Sequence, residues 1–137
     1  MNAGILSTGC DYPETVLTNA DLEEMVETSD EWITTRTGIR ERRKASDNEY
    51  TSQFAVRAGR QAIERAGLKP EDIDIIICAT TTPDQILPST GCLIQRDLGC
   101  VNAAGMDLFA ACSGFIYGIT MVESMIRNGQ IGRHRAA

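Results

Sequence analysis

The chain has no run of about 18 apolar residues, so no segment of its 137 residues reads as a membrane-spanning helix. Met1 to Cys10 lacks the basic start and long apolar core of a signal peptide. Its five cysteines, Cys10, Cys78, Cys92, Cys100 and Cys112, show no CxxC spacing, and an odd count argues against a disulfide framework or a zinc site. No metal is expected, and a reducing cytoplasm is the simplest compartment. No internal repeat or low-complexity tract is present. Positive charge is also short: the formal net charge is −6, which argues against general nucleic-acid binding.

What remains is ordinary for a globular protein, with 42% hydrophobic and 23% charged residues, and the length fits one domain. The charge is unevenly spread. Arg36, Arg40, Arg42, Arg43 and Lys44, offset by Glu41, give a local +4 on a body of −10. Such a patch suits a small anionic ligand or an acidic partner; a solvated basic turn accounts for the same residues.

Strand and helix signals alternate. Ile5–Gly9 reads as a first strand. Thr18 or Asn19 caps a helix through Leu22, Met25 and Val26. Ser29 or Asp30 caps a second helix carrying Trp32, Ile33 and Arg36 and ended by Gly38. Thr51–Ala66 is an amphipathic helix, with Gly67 and Leu68 as a Schellman ending before Pro70. Ile73–Ala79 reads as a strand covered on both faces, with Cys78 a small buried hydrophobe. Pro83–Pro88 is a loop, Ser89 caps a helix to Leu98 closed by Gly99, and Ala103–Phe109 is another strand. A last helix runs from Ser113 to Asn128, with Gly129 as its stop. The class is α/β with a mostly parallel sheet. From Ser113 to Val122 the last helix has no charged side chain, so it is expected to be buried on all sides. Gly114 and Gly118, one turn apart, suit close contact with another helix.

Cys112 lies between that last strand and helix. A thiol at a helix N-terminus sits in the positive end of the dipole, which favours the thiolate, the form that attacks electrophiles. A structural cysteine is the plain alternative.

Phe109-Ala110-Ala111-Cys112-Ser113-Gly114-Phe115-Ile116-Tyr117-Gly118 resembles the nucleophile segment of β-ketoacyl-acyl-carrier-protein synthase III, a thiolase-fold condensing enzyme of bacterial fatty acid synthesis. Thr28-Ser29-Asp30-Glu31-Trp32-Ile33 and Arg36-Thr37-Gly38-Ile39-Arg40-Glu41-Arg42 resemble the family's N-terminal signature. Ala79-Thr80-Thr81-Thr82-Pro83-Asp84 and Leu87-Pro88-Ser89 resemble the strand and loop that follow. The resemblance runs in order from Ile5 to Gly129. It implies a thiolase-like N-terminal half over residues 1–129, with the last helix as the buried central helix, followed by an atypical polar tail over 130–137.

By that resemblance Cys112 is the acyl-accepting nucleophile, and Trp32 and Arg36 are coenzyme A contacts, with Thr28 a weaker one. Leu87 matches a loop position that reaches a partner subunit's acyl pocket; plain interface packing fits it equally. The implied substrates are an acyl-CoA and malonyl-acyl carrier protein, with no resident cofactor, and the implied assembly is a homodimer without nucleic acid or membrane. The remaining basics, Arg40, Arg42, Arg43 and Lys44, are candidates for attracting the acidic carrier protein. Family members are more than twice as long, and their second half supplies a His, an Asn and a glycine-rich loop. His134, the only histidine, lies in a polar tail and is not read as that base. The chain is therefore expected to be truncated or frameshifted, and inactive alone. Gly114, Phe115, Gly118 and Met121 are then expected to expose apolar surface, favouring association. The alternatives are a non-catalytic fragment, a half needing a complementary chain, or another Cys-dependent thiolase-fold synthase.

Overall fold

A computed structural model describes residues 3–132. His134 and the expected polar tail from Arg133 onward lie outside the described residues. The chain divides into two compact units: Met1–Asp11 with Tyr50–Ala137, and the intervening Tyr12–Glu49.

The smaller unit holds β1 (Val16–Thr18), α1 (Asn19–Glu23), α2 (Asp30–Thr37) and β2 (Glu41–Arg43). Thr18 caps α1 through a reciprocal box: its Oγ1 accepts from Asp21 N–H at 3.2 Å, and the Asp21 carboxylate accepts from Thr18 N–H at 2.7 Å. α1 stops at Glu23, leaving Met25 and Val26 exposed beyond the helix expected to include them. Ser29 caps α2 by accepting from Trp32 N–H, and Gly38 ends it in the left-handed region at φ 72°. β1 and β2 pair antiparallel, Val16 opposite Arg43 and Thr18 opposite Glu41. This pair was not anticipated. Its strands are three residues long, and Glu41-Arg42-Arg43 carries no apolar alternation to announce it.

The larger unit holds α3 (Thr51–Arg65), β3 (Ile75–Ala79), α4 (Thr90–Leu98), β4 (Ala104–Leu108) and α5 (Gly114–Arg127). α3 closes with a Schellman motif: Leu68 N–H donates to Ile63 O and Gly67 N–H to Glu64 O. Ile73 stays outside β3 because Pro70–Asp72 forms a 3₁₀ turn whose last bond, Ile73 N–H to Pro70 O, holds it. β3 and β4 run parallel, Ile75 opposite Ala104 and Ala79 opposite Leu108. α4 packs on both strands, and α3 packs on α4. Ile94, Leu98 and Cys100 form the buried centre, with Ala55, Ile63, Ile76 and Cys78 packed against it. The start of α4 crosses β4 backbone to backbone. A Cβ on Gly91 would lie 2.4 Å from Met106 O, so only glycine fits there.

Ile5–Gly9 is not a strand. It runs alongside α3 and is held by bonds to that helix instead of to a neighbouring strand. Ser7 Oγ donates to Ala62 O at 2.6 Å, Arg65 Nη1 to Thr8 O at 2.8 Å, and Gln61 Nε2 to Cys10 O at 3.0 Å. α5 also departs from expectation. Gly114 and Gly118 face the strands, not another helix: a Cβ on Gly114 would sit 3.0 Å from Ala79 Cβ. Gly114 is the buried residue of α5, while Phe115 and Ile116 remain 68% and 60% exposed. The strands cover one side of α5 only, and no other described element covers the side that carries Ile116 and Tyr117.

Candidate functional site

Cys112 sits where β4 turns into α5. Ala111, just before it, has φ 43°, a left-handed conformation that costs an alanine about 1–2 kcal/mol. Ala111–Ser113 form one 3₁₀ turn, closed by Ser113 N–H to Ala110 O and by Gly114 N–H to Ala111 O. The Cys112 N–H takes part in neither bond. Gly114 presses the start of α5 onto the end of β3, which seats this turn at the carboxyl ends of the parallel strands. That edge is the usual ligand side of an open α/β sheet. The thiol-bearing residue is exposed, as a nucleophile requires.

The other cysteines differ. All five are free, and only Cys10 shares the exposure of Cys112. Cys100 is buried in the core, and burial, with the nearby Glu71 carboxylate, pushes its thiol up. Burial raises Cys78 to about 11, with further upward pressure from the Asp107 and Asp84 carboxylates. A thiol so raised stays protonated at neutral pH, which fits the expected packing role. Cys92 donates its S–H to Gly105 O at 3.4 Å.

The loop carrying Leu87 leaves the carboxyl end of β3. Asp84 anchors it: its carboxylate accepts from Ser52 N–H at the start of α3, and its own N–H donates to Thr90 Oγ1. Asp107 of β4 holds the start of α4, accepting from Thr90 N–H at 2.9 Å and Gly91 N–H at 2.7 Å. An anion there meets the positive end of the helix dipole. Beyond these anchors the loop tip stands clear, with Ile86 and Leu87 over 80% exposed (87% and 82%) and a cis Leu87–Pro88 bond. The Leu87 loop and the Cys112 turn thus rise from the same end of the β3–β4 pair. An apolar groove of about 450 Å³ runs along α5 between β3 and the Ala3–Ile5 segment.

Thr28, Trp32 and Arg36 belong to the smaller unit. The Arg36 guanidinium stacks 4.9 Å from the centre of the Trp32 ring, as the one-turn spacing required, and Trp32 stays 55% exposed. Thr28 is half-buried just ahead of the Ser29 cap. Most of the basic cluster is exposed, and two of its members are engaged within the smaller unit. Arg42 is half-buried in β2 and donates to Asn19 Oδ1 at 2.7 Å and to Leu17 O at 3.3 Å. Arg43 donates to Glu14 O and stacks on Tyr12. Those two cations are committed to holding the β1–β2 pair, which weakens their candidacy as carrier-protein contacts. Asn19, a buried amide bonded to Arg42 and Asp30, was missed in the sequence. It was weighed only as a helix cap, and nothing local signals that a cap-region amide is buried.

Among the described residues no group of three or more His, Cys, Asp or Glu side chains is placed to hold a metal ion, and no helix is long and apolar enough to cross a membrane.

A cysteine on a left-handed turn between a parallel strand and an apolar helix fits the thiolase-like condensing-enzyme fold that the sequence resemblance implies. No family model matches the chain. Direct relatives do. It is 56% identical over 127 residues to a β-ketoacyl-[acyl-carrier-protein] synthase III of Caldanaerobacter subterraneus subsp. tengcongensis, covering 93% of this chain and 38% of the relative. It is 58% identical over 127 residues to the synthase III of a Roseiflexus species, covering 93% and 39%. The crystal structure of 3-oxoacyl-[acyl-carrier-protein] synthase III from Aquifex aeolicus superposes with a TM-score of 0.87 at 50% identity, over 91% of this chain and 40% of that one. Over nearly its whole length the chain is similar to β-ketoacyl-[acyl-carrier-protein] synthase III, and it spans about two-fifths of the length of the curated relatives it matches.

Proposed function

We propose that this chain carries the acyl-accepting part of a β-ketoacyl-[acyl-carrier-protein] synthase III. The exposed Cys112 on its left-handed Ala111 turn is the observation that carries the reading. The Cys112 thiolate attacks the carbonyl carbon of an acyl-CoA, acetyl-CoA in the simplest case. The carbonyl oxygen becomes an oxyanion, and the Cys112 N–H at the helix start is one donor for it. The C–S bond to coenzyme A breaks, its thiolate leaves and takes up a proton, and Cys112 holds the acyl group as a thioester.

Trp32 offers its exposed indole face to the adenine, worth about 1–3 kcal/mol by analogy with base stacking on aromatic side chains. Arg36, stacked on that indole, turns its remaining donors to a phosphate. Thr28 lies near the nucleotide and Leu87 on the acyl side. Coenzyme A enters as part of the substrate, and no resident cofactor is proposed. The complete family enzyme, a cytoplasmic homodimer, then condenses the held acyl group with malonyl-acyl carrier protein, releasing CO₂. The His and Asn that stabilise the resulting enolate belong to the rest of that enzyme.

Incubation with radiolabelled acetyl-CoA, followed by peptide mapping, tests the first step. Slow labelling of Cys112 is expected, and Cys112→Ala should abolish it. Label that persisted in that variant would assign the acyl group to another thiol and overturn the reading.

A further inference from the structure

The proposed nucleotide contacts stand on a helix that a buried amide ties to the rest of the smaller unit. Asn19 is 2% exposed, and its side chain is fully engaged. Its Nδ2 donates to Asp30 Oδ1 at 2.7 Å and to Ile39 O at 2.9 Å, with Thr34 Oγ1 a longer contact at 3.4 Å. Its Oδ1 accepts from Arg42 Nη2 at 2.7 Å. Its backbone N–H donates to Arg40 O at 3.2 Å. The start and middle of α2, the turn beyond it and β2 therefore converge on one side chain. Thr34 Oγ1 closes the network by donating to Asp30 Oδ1 at 3.2 Å.

Asp30 and Thr34 are one turn apart on the inner face of α2. Trp32 and Arg36 follow each by two residues, about 200° round the helix, and so point away from Asn19. We infer that Asn19 is a positioning residue for coenzyme A binding: it locks the inner face of α2 so that the Trp32–Arg36 pair is presented as a unit. This rests on Trp32 and Arg36 being nucleotide contacts. Asn19 touches no substrate itself. It acts by removing freedom from the helix that does, so the ligand need not order that helix when it binds. The Asp30 carboxyl is held below its ordinary range by the bonds from Asn19 and Thr34, so the network keeps its charge at neutral pH.

Trp32 is the chain's only tryptophan, so its emission reports on this site directly. The experiment titrates the full chain with coenzyme A and follows quenching of that emission. The rate of Cys112 alkylation by iodoacetamide, read by peptide mass spectrometry, monitors the other unit. Asn19→Asp keeps the acceptor for Arg42 but sets a carboxylate against Asp30. Coenzyme A affinity should fall about tenfold while Cys112 alkylation is unchanged. Adding Asp30→Asn reverses the direction of the bond between positions 19 and 30, leaves the bond to Ile39 O broken, and should restore affinity in part, to within about threefold of the parent. A purely structural role would move both readouts together and would give no such rescue. Thr34→Val, which perturbs the network from a half-buried position, covers the case in which Asn19→Asp does not fold. About threefold weaker binding is expected of it. Unchanged affinity in a folded Asn19→Asp or Thr34→Val chain overturns the inference. No quenching of the parent chain by coenzyme A would overturn the nucleotide assignment itself, and the inference with it.

Discussion

Replacing Asp107 with Asn alters a single atom type at the junction between the Leu87 loop, α4 and the strand that leads to Cys112. The two carboxylate oxygens accept from Gly91 N–H at 2.7 Å and Thr90 N–H at 2.9 Å. Bonds to a charged acceptor contribute roughly 1.5–3 kcal/mol each. Asn keeps one as a neutral bond of about 1 kcal/mol and turns its NH₂ towards the other amide, which is left unpaired at a further cost of about 1–3 kcal/mol. The favourable meeting of charge and helix dipole is lost too, about 0.3–1 kcal/mol. Thr90 is fully buried and Gly91 faces the Met106 backbone, so water has little access to repair the loss. A net destabilisation of at least about 3 kcal/mol follows, or about 10 °C or more in melting temperature for a domain of this size. Urea unfolding at pH 7 reads it directly. The substitution also removes one of the charges that raise Cys78, so that thiol should titrate closer to its ordinary value of 9.0 and alkylate faster at pH 9. A loss under 1 kcal/mol with unchanged Cys78 reactivity would refute the claim that this carboxylate anchors α4.

Two further outcomes are expected. Trp32→Ala removes the stacking face and should weaken coenzyme A binding by about 5- to 150-fold, measured by calorimetry, without changing iodoacetamide reactivity at Cys112; equal binding would remove Trp32 from the site. Cys78 is raised in the folded chain from 9.0 to about 11, so the folded state holds its proton longer than the unfolded one. Its contribution to stability is complete below about pH 9 and is lost as pH rises towards 11, so Cys78→Ser should flatten that alkaline limb in urea titrations.

The residues that end and begin helices were legible because their cause is local. Ser29 and Ser89 accept from the N–H three residues on, and Gly38, Gly67, Gly99 and Gly129 adopt the left-handed backbone where their helices stop. Cys112 and the Trp32–Arg36 pair were legible for the same reason: a strand-to-helix junction and a one-turn spacing are visible in the sequence. What stayed hidden was decided by partners distant in the chain. Ile5–Gly9 has the composition of a strand but lies beside a helix. Glu41-Arg42-Arg43 has the composition of a loop but pairs with Val16–Thr18. Asn19 has the look of a cap but is a buried hub, because Ile39 and Arg42 reach it from across the smaller unit. The α5 sequence announced an apolar helix, yet apolarity alone does not say which side is covered.

The bonds between the N-terminal segment and α3 join residues 46 to 57 positions apart, from Arg57–Asp11 to Arg65–Thr8. During synthesis that segment emerges before its helix and waits for it. At about 5–20 residues per second, the interval is roughly 3–11 seconds, longer than most helices and hairpins need to form. Meanwhile the whole of Tyr12–Glu49 is made. Assembly on the ribosome thus departs from the order of the chain: the insert can close on itself first, and residues 3–11 dock only after α3 is complete.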